Sequence, residues 1–588
     1  MQTADTTLTV IRSRGERGLH LDRVYRSLFN PELYLLAYAN LYSNQGAMTK
    51  GVTGETVDGM SLAKINSIIE EIRHERFQWT PVRRTYIPKA NRKLRPLGIP
   101  TWRDKLVQEV IRLILESYYE PQFSDASHGF RPERGCHTAL TTIQRTWKGT
   151  RWFVEGDIKG CFDNIDHSTL LSILRRNIHD GRFIALVDGL LKAGYLEEWR
   201  FNRTFSDTAG RRGEPHPREY LPHGVGQVRD QELVPEFTKG DKRGSNKEYE
   251  RLRSRAKKAK ARGSRRGTRV GEIRPPATLP KPYGPGLPPA QIRSICRRLH
   301  VGPDRTKADA EGIKQRVKTW LTENLKLELS AEKTLITHAT EDRAKFLGYE
   351  VGAMKSDSLP SVNGSIELRI PEAKLTEIEN RYKRGPKAHH RAELVNDSDF
   401  DIVAKYGAEF RGLIQYYKLA RNIRRLGKVE RTIRLSLLKT LANKLRTTVM
   451  DVWTRYKFRH ITAHGRRAGL IVVVPREGKE SLIAKFGELP LRRQTDATIQ
   501  DEKPEWTRRV KRTELVQRLL ADKCELCGSS EGVDVHHVRA LKDLNPTGRK
   551  EVPTHVFIMA ARRRKTLVVC HYCHTAIHAG RPTRTATT

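Results

Sequence analysis

The sequence predicts an α+β protein built from several domains. Three observations predict it. Stretches with apolar residues at three-to-four spacing, which read as amphipathic helices, alternate with short period-two stretches that read as strands. A chain of 588 residues exceeds what one hydrophobic core serves, and the length prior is roughly three or four domains. Two CxxC pairs near the C-terminal end, Cys524/Cys527 and Cys570/Cys573, mark a small module of their own.

Charge narrows the partners. Lys and Arg total 109 against 68 Asp and Glu, a formal net charge of +41. Such a surplus repels itself in a compact state unless a polyanion neutralises it, so nucleic acid is the expected partner. No apolar run reaches about 18 residues, which excludes a helical membrane span. The first 30 residues lack the apolar core of a signal peptide, and a cytoplasmic protein is expected. Cys136, Cys161 and Cys296 are scattered, so the cysteines suit a metal site in a reducing compartment better than a disulfide framework.

The elements follow in order. Residues 1–79 are mostly helical; Leu62, Ile65, Ile68, Ile69 and Ile72 give one apolar face. Residues 83–99 alternate apolar and basic around Ala90-Asn91, a β-hairpin with a basic tip. A helix is expected at 103–119. Residues 151–166 hold a short apolar strand that runs into Asp157 and then a helix. The run 238–270 is rich in Lys and Arg, and 271–290 is too rich in Pro and Gly for a regular element. A helix at 307–325 precedes two strand-like pieces, LELSAEKTLITH and AKFLGYEVGA. Helical periodicity is strong between 400 and 460, with Phe410, Leu413, Ile414, Tyr417, Leu438, Leu441 and Leu445 on apolar faces.

Three blocks between 83 and 167 resemble the finger and palm blocks of group II intron-encoded reverse transcriptase/maturases: KANRKLRPLGIPTWRDKLVQEVI, SHGFRPERGCHTAL and FVEGDIKGCFDNIDH. EKTLITHATEDRAKFLGYEV resembles the later palm blocks. AEFRGLIQYYKLARNI and SLLKTLANKLRTTVMDVWTRYK resemble the thumb/maturase (X) domain. The resemblance implies right-hand fingers and palm, a helical thumb/maturase domain and a small ββα-metal HNH domain. It divides the chain at 1–79, 80–352, 353–470, 471–520 (a basic DNA-binding linker) and 521–588. It further implies that Asp157 and the backbone carbonyl of Ile158 bind Mg²⁺, that Phe162 faces the sugar, and that Lys93 and Arg95 hold the incoming triphosphate. Arg411, Tyr416, Tyr417, Lys439 and Lys444 would contact intron RNA, although the tyrosines equally suit the apolar face of a helix.

The chain departs from the family in two windows. Residues 207–221 read DTAGRRGEPHPREYL where a PQGG block belongs, and 292–298 read IRSICRR where Tyr-Ala-Asp-Asp belongs. Synonymous codons for Ile292–Arg298, read one base later, spell Tyr-Val-Arg-Tyr-Ala-Asp and then Asp. The same shift turns codons for Asp207–Leu221 into Thr-Pro-Gln-Gly-Gly-Val-Val-Ser-Pro-Ile-Leu-Ala-Asn-Ile. Both windows therefore read as frame-shifted, through a ribosomal frameshift or an error in the DNA sequence. The chain as written keeps Asp157 but lacks the carboxylate pair that would share its metals, and one acid cannot clamp two Mg²⁺ ions. Polymerisation is expected to be absent, the palm sheet damaged, and 207–228 and about 265–305 irregular.

The C-terminal module is intact. Cys524, Cys527, Cys570 and Cys573 have the spacing of one tetrahedral Zn²⁺ site. With VDVHH between the pairs and CHTAIH after them, the module resembles HNH endonuclease domains. The match makes His537 the general base and gives His536, His574 and His578 a divalent ion. Two imidazoles four residues apart share one helix face. Lys565 and Thr566 stand where such motifs place an Asn that orients the base.

The combined expectation is a group II intron-encoded protein that binds intron RNA, assists its splicing and nicks target DNA. It would associate with the nucleoid when bound to DNA. Two alternatives remain from the residues alone: a splicing factor that does not polymerise, and a pseudogene product that does not fold stably.

Overall fold

The computed structural model describes residues 3–583 except 45, 89–93, 130, 160–163, 198–199, 203–297, 302–305, 463–464, 477–478, 495–513, 540, 545–551 and 563. Most of the two frame-shifted windows, and the tip of the expected hairpin with Lys93, lie outside the described residues.

The N-terminal region is helical, as its periodicity predicts. Helix α1 (Ala4–Glu16) is capped by Thr3, and α2 (Pro31–Leu41) starts on a proline after Asn30, whose side chain accepts from the Glu32 N–H. A two-residue strand, β1 (Met60–Ser61), leads into α3 (Leu62–Arg73), where Ser61 is the cap. The hairpin β2 (Val82–Pro88) and β3 (Leu94–Ile99) follows, then α4 (Trp102–Tyr119). Helix α4 is the spine of the first core, with Leu106, Val107, Val110, Ile111, Ile114 and Leu115 at most 1 % exposed. Helix α1 crosses it so closely that a Cβ on Gly15 would lie 2.0 Å from the Tyr118 carbonyl oxygen, which explains a glycine inside this helix.

Asp104 is buried at the start of α4, where Oδ2 accepts from the Thr80 N–H at 3.2 Å. Burial pushes its carboxyl up to about 6 from 3.8. The folded state therefore holds a proton that the unfolded chain has lost between these values, so stability falls as pH rises through the window. The full cost, about 3 kcal/mol for a shift of roughly two units, is present above pH 6. Asp104→Asn keeps an acceptor for Thr80 and should remove this slope. Urea midpoints at pH 4.5 and 7 check it: the variant gains on the parent at pH 7 and not at pH 4.5.

The palm follows. Helix α5 (Cys136–Thr146) precedes β4 (Trp152–Glu155), α6 (His167–Arg175), α7 (Gly181–Lys192) and a hairpin, β5 (Tyr195–Glu197) and β6 (Arg200–Asn202). Then come β7 (Arg298–Val301), α8 (Lys307–Leu325) and β8 (Leu335–His338). Strand β4 lies between β7 and β8, antiparallel to both. The irregular stretch expected at 265–305 needs correction here. Residues 298–301 form a full strand partner of β4, pairing Arg298 with Glu155 through Val301 with Trp152. The free edge of an apolar strand needs partners for its backbone groups, and Leu299 and Val301 restore the period-two alternation.

A second core is built by β9 (Ala344–Phe346), β10 (Tyr349–Ala353), β11 (Ile366–Arg369), α9 (Glu372–Asn380), a short hairpin of β12 (Lys383–Arg384) and β13 (Lys387–Ala388), and three helices. These are α10 (Asp399–Tyr417), α11 (Leu426–Leu445) and α12 (Val449–Tyr456). The meander β14 (Lys457–Thr462), β15 (Gly465–Arg476) and β16 (Lys479–Phe486) closes it. Phe486 stacks 5.6 Å from Phe410, and Leu470, Val472 and Ala484 join the same core. The boundary expected at 470/471 thus falls inside β15. Leu470 and Val472, which face inward from this strand, carry the core past the expected boundary.

The last elements are α13 (Glu514–Leu520), β17 (Val533–His537), α14 (Thr554–Ala561), β18 (Thr566–Cys570) and α15 (His571–His578). Strand β17 sits between β18 and β1, so the N-terminal region contributes an edge strand to the C-terminal sheet. Val533, Val535 and Val568 share the first core with α2 and α4. Among the described residues no helix is long and apolar enough to cross a membrane.

Candidate metal centres and the palm aspartate

The four cysteines converge. Cys524 and Cys527 sit on a tight turn in which the Cys527 N–H faces the Cys524 Sγ at 3.5 Å. Cys570 ends β18, and Cys573 lies on the first turn of α15. Cys527 Sγ is 3.6 Å from Cys570 Sγ and 3.7 Å from Cys573 Sγ. A disulfide would bring two of them to about 2.05 Å, whereas a tetrahedral centre with Zn–S near 2.3 Å separates its sulfurs by about 3.8 Å. Burial, together with the neighbouring sulfurs, pushes the Cys573 thiol well above its ordinary value. Four thiolates so close need a cation, and the residues present fit zinc.

A second cluster lies on the other side of α15. The ligand atoms of Asp58, His536, His574 and His578 all lie within 4.8 Å of one another. His574 and His578 share a face of α15, with their Nε2 atoms 3.0 Å apart. Asp534 pairs with His574 Nδ1 at 2.6 Å and turns Nε2 towards the cluster. His536 Nδ1 is buried with no hydrogen-bond partner and faces Asp58 at 3.6 Å. An orphaned imidazole nitrogen aimed at a carboxylate and two further imidazoles fits a divalent ion. Burial lowers His536 to about 3. Against the same desolvation, hydrogen bonds to Asp534 and Asp58 raise His574 to about 9. Asp58, though partly buried, is held well below the carboxylate range by the His574 side chain and the His537 N–H.

His537 points to the opposite face of β17 from His536, as alternation requires. Its Nδ1 lies 3.2 Å from the Val535 carbonyl oxygen, which can only accept, so Nδ1 carries the proton and Nε2 is the free base. Burial lowers it to about 4, and the ring is neutral at pH 7. The Val535 carbonyl thereby fixes the tautomer and setting of the ring. Thr566 instead pairs with His537 across the sheet, and Lys565 accepts from the Val538 N–H through its carbonyl.

The palm differs. Asp157 lies two residues past β4, its carbonyl accepting from the Ser330 N–H at 2.7 Å, while Ile158 bridges Leu329. Lys333 Nζ is 3.2 Å from Asp157 Oδ2. Among the described residues, which leave out most of the two departing windows, no further carboxylate joins Asp157 in a metal-ligand group. Phe162 and the side chain of Arg95 lie outside the described residues; the backbone of Arg95 pairs with Ile87.

The expected RNA-contacting residues have intramolecular partners. Arg411 pairs with Glu488 at 2.8 Å, Lys439 donates to the Ala388 carbonyl at 2.8 Å, and Lys444 lies 3.9 Å from Asp399. Tyr416 donates to the Leu347 carbonyl at 2.6 Å. Tyr417 is 3 % exposed, a core side chain, and its burial leaves no surface for the RNA contact expected of it. Sequence reasoning missed Asp58, Asp534 and Lys333. Asp534 stands within VDVHH, but nothing near Asp58 marks it.

Comparison with known proteins places three stretches of the chain in known families. Residues 87–208 match a reverse transcriptase (RNA-dependent DNA polymerase) family, 372–515 a type II intron maturase family, and 524–574 an AI2M/AI1M-like HNH endonuclease family. The chain is 37 % identical over 582 residues to the group II intron-encoded protein LtrA of Lactococcus lactis subsp. cremoris, covering 94 % of this chain and 95 % of that one. The chain belongs to the group II intron-encoded proteins. This intron-encoded protein is also 30 % identical to a 91 kDa protein in the cob intron of Schizosaccharomyces pombe, over 97 % of this chain and 72 % of the relative. Protein YkfC of Escherichia coli is 31 % identical over 57 % of this chain and 84 % of its own length. The family brings reverse transcriptase, maturase and HNH endonuclease domains together, with the Cys cluster in the last. The reverse transcriptase match ends at residue 208, at the start of the first departing window.

Proposed function

We propose that this chain assists splicing of its intron RNA and nicks target DNA, while its polymerase centre is incomplete. The observation that carries the reading is the contrast between two assembled ligand clusters in the endonuclease and Asp157, which is paired with Lys333 and belongs to no such cluster among the described residues. We divide the chain into an N-terminal region (1–79), fingers and palm (80–352), thumb/maturase domain (353–470, with its core continuing to Phe486), a basic DNA-binding linker to 520 and the endonuclease (521–588). Arg411, Tyr416, Lys439 and Lys444 would bind RNA, and Lys93, Arg95 and Phe162 would line a nucleotide site once the palm is whole. The setting is a bacterial-type cytoplasm and its nucleoid.

In the endonuclease, Cys524, Cys527, Cys570 and Cys573 hold one Zn²⁺ and fix β18 to α15. His536, His574 and His578 hold a divalent ion, which when bound supplies positive charge at the scissile phosphate. Asp534 orients His574. The Val535 carbonyl holds the His537 ring so that Nε2 takes the proton from an attacking water, a role general bases fill with about 10²- to 10⁴-fold effect.

The full chain with its intron RNA, on a duplex spanning the intron's own flanking sequences, tests this. His537→Ala should lower nicking by about 10²- to 10⁴-fold. The same variant should leave splicing of the precursor RNA unchanged. Equal nicking by both proteins would defeat the assignment, and unaided splicing at the same rate without protein would defeat the maturase role.

A further inference from the structure

The second metal cluster is not made by the endonuclease module alone. Asp58 belongs to the N-terminal region, 479 residues before His537. Its place is fixed by packing. Val57 and Met60 are fully buried, the Gly59 N–H donates to the Val535 carbonyl at 2.9 Å, and β1 pairs Met60 with Val535 and Ser61 with Asp534. Gly59 adopts φ +69°, which turns the chain back so that the carboxylate enters the cluster. Asp58 Oδ2 is 2.8 Å from His578 Nε2, and Oδ1 is 3.3 Å from His574 Nε2 and 2.7 Å from the His537 backbone nitrogen.

Three histidines would leave a position on the ion for water or substrate. The Asp58 carboxylate stands in that position. The N-terminal region covers the base as well, on the other face of β17: the Tyr38 hydroxyl lies 3.3 Å from His537 Nε2, and His537 is 5 % exposed.

We propose that Asp58 is the fourth ligand of the endonuclease ion, so that loading the ion fastens the module to the N-terminal region in a closed form. This rests on the reading that His536, His574 and His578 hold that ion. DNA then enters only by displacing Asp58 from the ion and Tyr38 from the base.

The test uses the full chain with its cysteine site loaded with zinc and Mn²⁺ as the probe. Bound Mn²⁺ is counted by electron paramagnetic resonance, and amide exchange is followed at Gly59 and His537. The parent should bind one Mn²⁺, and the ion should slow exchange at both amides, a readout that needs no substitution. Asp58→Asn retains an acceptor for the His537 N–H and should weaken Mn²⁺ binding by at least about 10-fold, since loss of even an outer-shell partner costs roughly 10- to 100-fold. His578→Ala should lose both binding and protection. Asp58→Asn binding Mn²⁺ as tightly as the parent, while His578→Ala fails to bind, overturns the role of Asp58 and leaves the histidine site standing. A parent that binds no Mn²⁺ removes the histidine site and this proposal together.

Discussion

Writing the PQGG and Tyr-Ala-Asp-Asp blocks into the two departing windows should confer extension of a primed RNA template, which the chain as written is expected to lack. Two-metal phosphoryl transfer needs several carboxylates converging on one site. The chain as written brings Asp157, which pairs with Lys333 at 3.2 Å. A lysine there neutralises the acid without holding a metal. The ions supply several kcal/mol of transition-state stabilisation, and about 4 kcal/mol is roughly a thousandfold in rate. The restored gene should therefore gain at least that in primer extension on a poly(rA)/oligo(dT) template. Asp157→Asn should abolish the gain in the restored protein and change nothing in the chain as written. Primer extension by the unrestored protein would mean that other residues supply the missing acids.

Removing zinc should take both endonuclease centres down together. Cys570 and Cys573 bracket the junction of β18 and α15, and α15 carries His574 and His578. Structural Zn²⁺ contributes apparent free energies of about 10–16 kcal/mol in small modules. That matches or exceeds the net stability of a typical domain, about 5–15 kcal/mol. Cys573→Ser should therefore lose the zinc and also the Mn²⁺ site, with fast amide exchange through β17, β18 and α15. His578→Ala should lose the Mn²⁺ site alone and keep its zinc. Elemental analysis and exchange on the two variants separate the cases. Retention of the Mn²⁺ site in Cys573→Ser would mean that the shared core of Val533, Val535 and Val568 holds the module without zinc.

The fold was legible where its determinants are close in the chain. Ser61 and the apolar face from Ile65 to Ile72 specify α3 through contacts within one or two turns. The period-two stretch around 83–99 gave the hairpin, whose strands pair from Arg83 with Ile99 to Pro88 with Leu94. Residues 298–301 were misjudged, because a strand beside β4 is set by the partner's unpaired edge and not by its own surroundings. Tyr417 shows the same limit. Its spacing on α10 fitted an RNA-facing residue and a core residue alike, and only the approach of β9 and β10, with its hydroxyl 3.3 Å from the Gly348 carbonyl oxygen, buried it.

By itself the sequence determined the chemistry present: four cysteines in two local pairs, two histidines one helical turn apart, adjacent histidines alternating across a strand, and one palm aspartate without its companions. Each follows from covalent geometry over a few residues, which is why spacing encodes it. Only the tertiary structure decided that β1 joins the endonuclease sheet, that Asp58 faces three imidazoles, and that Tyr38 covers the base. Those meetings join residues hundreds of positions apart, and nothing near Asp58 in the chain announces them. They arise because β17 offers a free edge and the valine face of its sheet needs burial, and the N-terminal region supplies both.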